Sequence, residues 1–153
     1  MFSAFGYLTT APWFNEGHAC TFENTKLERG NIFIQEDQAH FKKVQSVIKE
    51  MSDSELEQYL SKFLLMDYLA FYSVNHEFNY ALAHCLVYYL HRGAPLERNQ
   101  PYKNIIPRYL EELARTNDMT KATEFAFAEI EFKSFVRRFA EFMKNSRLRQ
   151  DAL

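Results

Sequence analysis

Glycine and cysteine are both scarce in this chain of 153 residues, and each scarcity removes a class of mechanism. The four glycines, Gly6, Gly17, Gly30 and Gly93, are scattered and cannot form a phosphate-cradling loop. Neither the P-loop nor the dinucleotide fingerprint occurs. The two cysteines, Cys20 and Cys85, are too few for a disulfide scaffold. They read as reduced thiols, with Cys85 a small core residue. No Gly-x-Ser-x-Gly elbow or cysteine motif marks a nucleophile. The first residues, MFSAFGYLTTAPW, lack the basic start and long apolar run of a signal peptide. The longest charge-free run, 78–91, is interrupted by Asn79, His84 and several tyrosines and is short for a bilayer span. These absences set an expectation: a cytoplasmic protein, away from the membrane, with no cofactor and no recognisable catalytic centre.

What the chain has is aromatic mass. Fifteen Phe and nine Tyr bring aromatic content to 16%. Residues 63–90 concentrate them, and only Asp67 and Glu77 in that stretch carry a formal charge. Such a segment must be the centre of the core. It holds no Gly or Pro, so nothing forces it out of a helix.

The spacing predicts an all-α single domain, a bundle of about five helices. Residues 1–34 read as an irregular arm packed across the bundle, with a possible short β-hairpin from 21–27 and 31–34 around Arg29-Gly30. Residues 35–116 read as the helical core. Phe41, Val44, Ile48 and Met51 mark a first helix. Ser52 and Glu55 have capping-box spacing, which starts a second. Continued to Arg92, that helix would be roughly 58 Å long, so a break near 73–75 is favoured. Gly93 reads as a C-terminal cap. Pro107 suits a first turn, with a short helix to Thr116. Residues 118–146 read as one long amphipathic helix, because Phe125, Ala128, Phe132, Phe135, Phe139 and Phe142 follow a heptad seam. That seam is expected to be core, with a homodimer contact through this helix as the alternative.

The candidate chemistry is thin. Glu77, His84 and His91 share a helical face at spacing seven, but roughly 10.5 Å of rise per step is too far for one metal ion. Asp37 and His40 form a single Asp-x-x-His, where a two-metal bundle would want more. Helicity and abundant Phe and His suit haem, yet no ligation pattern supports it. No metal or catalytic residue is therefore assigned.

Charge is uneven. The chain carries a net −2, yet residues 133–149 hold six cations against Glu141 alone, a local +5. Glu129, Lys133, Arg137 and Glu141 stand at i, i+4 and suggest an ion-paired solvent face. The sequence thus favours a non-enzymatic protein-binding module: an adaptor, inhibitor or assembly subunit. Its candidate interface residues are Arg137, Arg138, Lys144, Arg147 and Arg149 at one end and Tyr7, Trp13 and Phe14 at the other. Arg and aromatic side chains make strong interface anchors. The partner expected is a protein, and the local +5 favours an acidic one. Nucleic acid on the basic helix is the alternative, with a metal- or haem-containing helical enzyme ranked behind it.

Overall fold

The computed structural model describes residues 9–96 and 100–145. The chain is all-α with one small hairpin. Its centre is α5, His76–Tyr88, where every residue from 81 to 90 is buried. A helix apolar on all sides has no stripe to offer a single neighbour, so it must be covered all round. Helix α1, Pro12–Glu23, covers one side, and α2, Gln38–Glu50, another. The α1 contact is close because Gly17 has no side chain. A Cβ there would collide with Val87 Cγ2 and the Ala83 carbonyl of α5.

Helix α1 corrects the reading of 1–34 as an irregular arm. Pro12 opens it at the first helical position, where a missing N–H costs nothing. Trp13 is fully buried, packs edge-on against Tyr109 at 5.1 Å, and donates its Nε1–H to Thr123 Oγ1 at 3.2 Å. The hairpin does form. Strands β1, Thr25–Glu28, and β2, Asn31–Ile34, pair antiparallel. Arg29 and Gly30 both take positive φ, 51° and 79°, as a tight two-residue hairpin turn requires.

The long aromatic stretch breaks twice. Helix α3, Asp53–Leu64, carries the full Ser52/Glu55 capping box. Asp67 then caps α4, Tyr68–Ser73, accepting from Ala70 N–H at 2.7 Å. Between α4 and α5 the backbone passes through Asn75 at φ 52°. Buried Asn79 ties that corner, donating to the carbonyls of Phe71 and Val74 while accepting from Tyr59 Oη–H at 2.7 Å. The favoured break near 73–75 is therefore present, and Asn79 holds its corner in place.

Gly93 is not the expected C-cap. It lies inside a π-helical turn, Tyr89–Gly93, that runs on into α6, Ala94–Leu96, with α7, Gln100–Lys103, following. A Cβ at Gly93 would strike the rings of Tyr89 and Phe142, so the glycine serves aromatic packing. Helix α8, Ile105–Thr116, and α9, Met119–Phe127, form a helical pair.

The expected long helix over 118–146 is two helices. Glu131 caps α10, Phe132–Lys144, accepting from the N–H groups of Lys133 and Ser134, and so starts a new axis after α9. The heptad seam does not survive this break. Ala128 is exposed and Phe125 and Phe132 only half-buried. The stripe that α10 buries is Phe135, Val136, Phe139, Ala140, Phe142 and Met143, a broad core face. It packs on α2, α3 and the π-turn of the same chain, so Phe135, Phe139 and Phe142 of the seam proposed for a dimer contact are occupied within it.

Candidate functional site

The two groups of predicted interface residues fare differently. Trp13 and Phe14 lie in the core, Phe14 stacking on Tyr109 at 4.6 Å, so neither is a surface anchor. Tyr7, Arg147 and Arg149 lie outside the described residues. Arg137, Arg138 and Lys144 are exposed on α10, together with Lys133 and Glu141. The ion-pair ladder expected along this face is absent among the described residues. Glu129 instead turns to Arg108 at 3.0 Å, and Arg108 also lies over the Phe125 ring. With Glu129 diverted, Lys133, Arg137 and Lys144 meet solvent as a strip of positive charge on a rigid helix.

The histidines regroup in a way that spacing did not foretell. Glu77, His84 and His91 do not converge. Glu77 pairs with Lys43 at 2.8 Å. His84 turns inward and meets the Asp37/His40 pair, its ring 5.5 Å from that of His40. His84 Nε2 accepts the Asp37 backbone N–H at 3.3 Å. Burial, with His40 beside it, pushes its pKa down to about 4, so the ring is neutral. His91 pairs with His18, Nε2 to Nε2 at 3.0 Å. His18 Nδ1–H donates to the Phe14 carbonyl at 2.7 Å, so its Nε2 accepts and His91 donates. Burial lowers His18 to about 4 as well. Neither pair makes a ligand set, and no group of three metal-ligating side chains converges among the described residues.

Nothing in the sequence pattern marks Glu16 as a buried carboxylate. Glu16, on the inner side of α1, accepts Tyr72 Oη–H at 2.6 Å. Burial and this carboxylate raise the Tyr72 pKa, and they push Tyr80 up to about 12. A hydroxyl held this firmly protonated is a structural donor. The arrangement joins α1, α4 and α5 and offers no nucleophile. Nearby, Lys43, Tyr72, Ser73, Asn75, His76 and Glu77 line a groove of about 490 Å³, but its Lys43–Glu77 pair is already self-satisfied. Burial raises the Cys20 thiol to about 11, helped by Glu23 and Glu16, so it too is inert at neutral pH.

Exposed apolar side chains complete the surface. Phe22 is 71% exposed, Leu27 75%, Ile32 70% and Phe33 44%, all at or beside the hairpin. Leu65, Leu69 and Val74 form a second exposed set around α4. Near Leu65, a smaller cleft of about 150 Å³ opens between Leu64 of α3 and Phe127 and Phe132 of α9 and α10. No helix among the described residues is long and apolar enough to cross a membrane. Compared with protein-family models, curated proteins and solved structures, the chain finds no match.

Proposed function

We propose that this protein is a non-enzymatic binding module, an adaptor, inhibitor or assembly subunit, that receives an acidic protein partner on the outer face of α10. The observation that carries this reading is the exposure of Lys133, Arg137, Arg138 and Lys144 on α10, where Glu141 stands among them, Glu131 lies beside Lys133 at the helix start and Glu129 is drawn off to Arg108. The inner face of α10 is locked into the core by Phe135, Phe139 and Met143, so the cations sit on a fixed helix. A fixed array of guanidinium and ammonium groups speeds encounter with an acidic surface and can pair bidentately with its carboxylates. The inert thiol, the neutral His18 and His84 rings and the protonated tyrosines agree with binding rather than catalysis.

The test is affinity capture from the native host with the tagged parent and with Arg137→Glu/Lys144→Glu, both first shown to be folded. The reading expects a partner with an acidic surface that the parent retains and the variant loses by tenfold or more, about 1.4 kcal/mol. A partner held equally by both places the interface elsewhere. Gel shifts in low salt supply the second arm. Nucleic-acid binding that falls steeply with salt would assign the cations to phosphates instead.

A further inference from the structure

We propose that the edge of β1 turned away from β2, unpaired among the described residues, pairs with the same edge of a second copy, joining two hairpins into one four-stranded antiparallel sheet about a two-fold axis at Leu27.

The phase of the hairpin ladder gives the first support. Gln35 N–H donates to the Asn24 carbonyl at 3.1 Å. With the register Thr25 to Ile34, Lys26 to Phe33, Leu27 to Ile32 and Glu28 to Asn31, the hydrogen-bonded pairs are then 24–35, 26–33 and 28–31. Leu27 and Thr25 lie at the alternate positions. Their N–H and C=O groups point away from β2, toward the open edge. A two-fold axis at Leu27 would make Leu27 and its counterpart a hydrogen-bonded pair, donating and accepting reciprocally. The chain's own geometry thus presents the groups such an axis needs.

The side chains agree with the same axis. Antiparallel pairing about Leu27 sets Lys26 opposite Glu28 of the second copy, and Glu28 opposite Lys26 of the second copy. Both are non-hydrogen-bonded pairs, where side chains approach most closely. An isologous contact must be complementary to itself, and this one is, in charge and in shape. On the other face, Ile32, Leu27 and their two counterparts fall into one continuous apolar row. That row covers the two most exposed aliphatic side chains of the hairpin, Leu27 and Ile32. The outer edge of β2 offers no equivalent. An axis at Ile32 would set Asn31 against Phe33, with no charge pair, and Ile34 is already half-buried against the core. Lys26 and Glu28 are the kind of charge that shields an edge from other strands, and pairing about Leu27 is the arrangement in which each meets its opposite. Between them stands an exposed leucine.

Sedimentation velocity over a concentration series reads the result directly. The parent should form a reversible dimer. Lys26→Glu and Glu28→Lys should each weaken it about tenfold, since each turns two attractive pairs into repulsive ones. The double variant K26E/E28K should dimerise like the parent, because the swap restores both pairs. An equimolar mixture of the two single variants should also dimerise. Leu27→Cys, placed on the axis, should form an intermolecular disulfide on mild oxidation, and Lys26→Cys should not. The proposal is overturned if the parent stays monomeric up to about 1 mM. It is overturned equally if a dimer forms that ignores the charge swaps, or if Leu27→Cys cross-links no better than Lys26→Cys.

Discussion

Helix α5 and the β1–β2 hairpin are built from the same kinds of large apolar residue and end in opposite environments. Leu82, Leu86, Tyr88 and Tyr89 are sealed, whereas Leu27, Ile32 and Phe33 stand in solvent. The difference lies in the number of neighbours each element can recruit. Helix α5 has α1 and α2 against it, brought close by Gly17 and by the Asp37–His84 bond. Among the described residues each strand of the hairpin has one partner strand, and Leu27, Ile32 and Phe33 are left uncovered. Apolar content thus states how much area must be covered. It does not state whether the cover comes from the same chain.

The largest effect that sharpens this contrast belongs to the covered side. Phe135→Ala should cost about 3–5 kcal/mol in chemical denaturation, because its ring packs among Tyr89, Tyr102 and Phe127 with no exposure. A cost below about 1 kcal/mol would remove α10 from the core.

Acidification comes next, and it should act on the helices alone. His18 and His84 titrate at about 4 in the folded chain, against about 6.5 when unfolded. As pH falls, the unfolded chain binds protons first. The stability these rings confer is therefore whole above pH 6.5 and is lost between about 6.5 and 4. His84→Gln can still accept from Asp37 N–H and does not titrate, so its melting temperature should decline less steeply over that window. A slope equal to the parent's would show that His84 is not buried neutral. The hairpin holds no histidine, so its variants should keep the parent's pH profile.

The smallest effect marks the uncovered side. Leu27→Ser should change monomer stability by no more than about 0.5 kcal/mol at concentrations below dimerisation. A loss above about 1 kcal/mol would mean that the hairpin is part of the core after all.

How far the sequence disclosed this molecule depended on whether a signal was local. The Ser52/Glu55 box, the Arg29-Gly30 turn and the aromatic centre rest on neighbours in sequence, and each could be anticipated; the break near Asn75 followed instead from the length an unbroken helix would reach. Helix α1 was not anticipated, because its buried face includes Glu16, Gly17 and Thr21 while Phe22 is exposed, so no apolar stripe shows, and because Gly17 reads as a breaker until α5 lies against it. Pro12 was the available signal for its start. The heptad reading of 118–146 failed for a related reason. Phenylalanines at perfect spacing continued through Glu131, whose carboxylate caps a new helix. At the surface, the exposed cations of α10 were legible from composition. The burial of Trp13 and Phe14, the joining of His84 to Asp37 and His40, and the diversion of Glu129 to Arg108 all require the tertiary fold.

The π-turn at Tyr89–Gly93 has a consequence for how this chain can change length. A π-turn holds more backbone than an α-turn over the same path. Deleting one residue there would let α5 run on as regular α-helix with the elements beyond it keeping their direction, because the π-turn absorbs its extra residue within one turn. The contacts made inside the turn would not survive: His91 and Gly93 could no longer both keep their places against His18 and the Phe142 ring. The extra residue is thus kept for the side chain and the bare backbone it presents, not for the path of the helix.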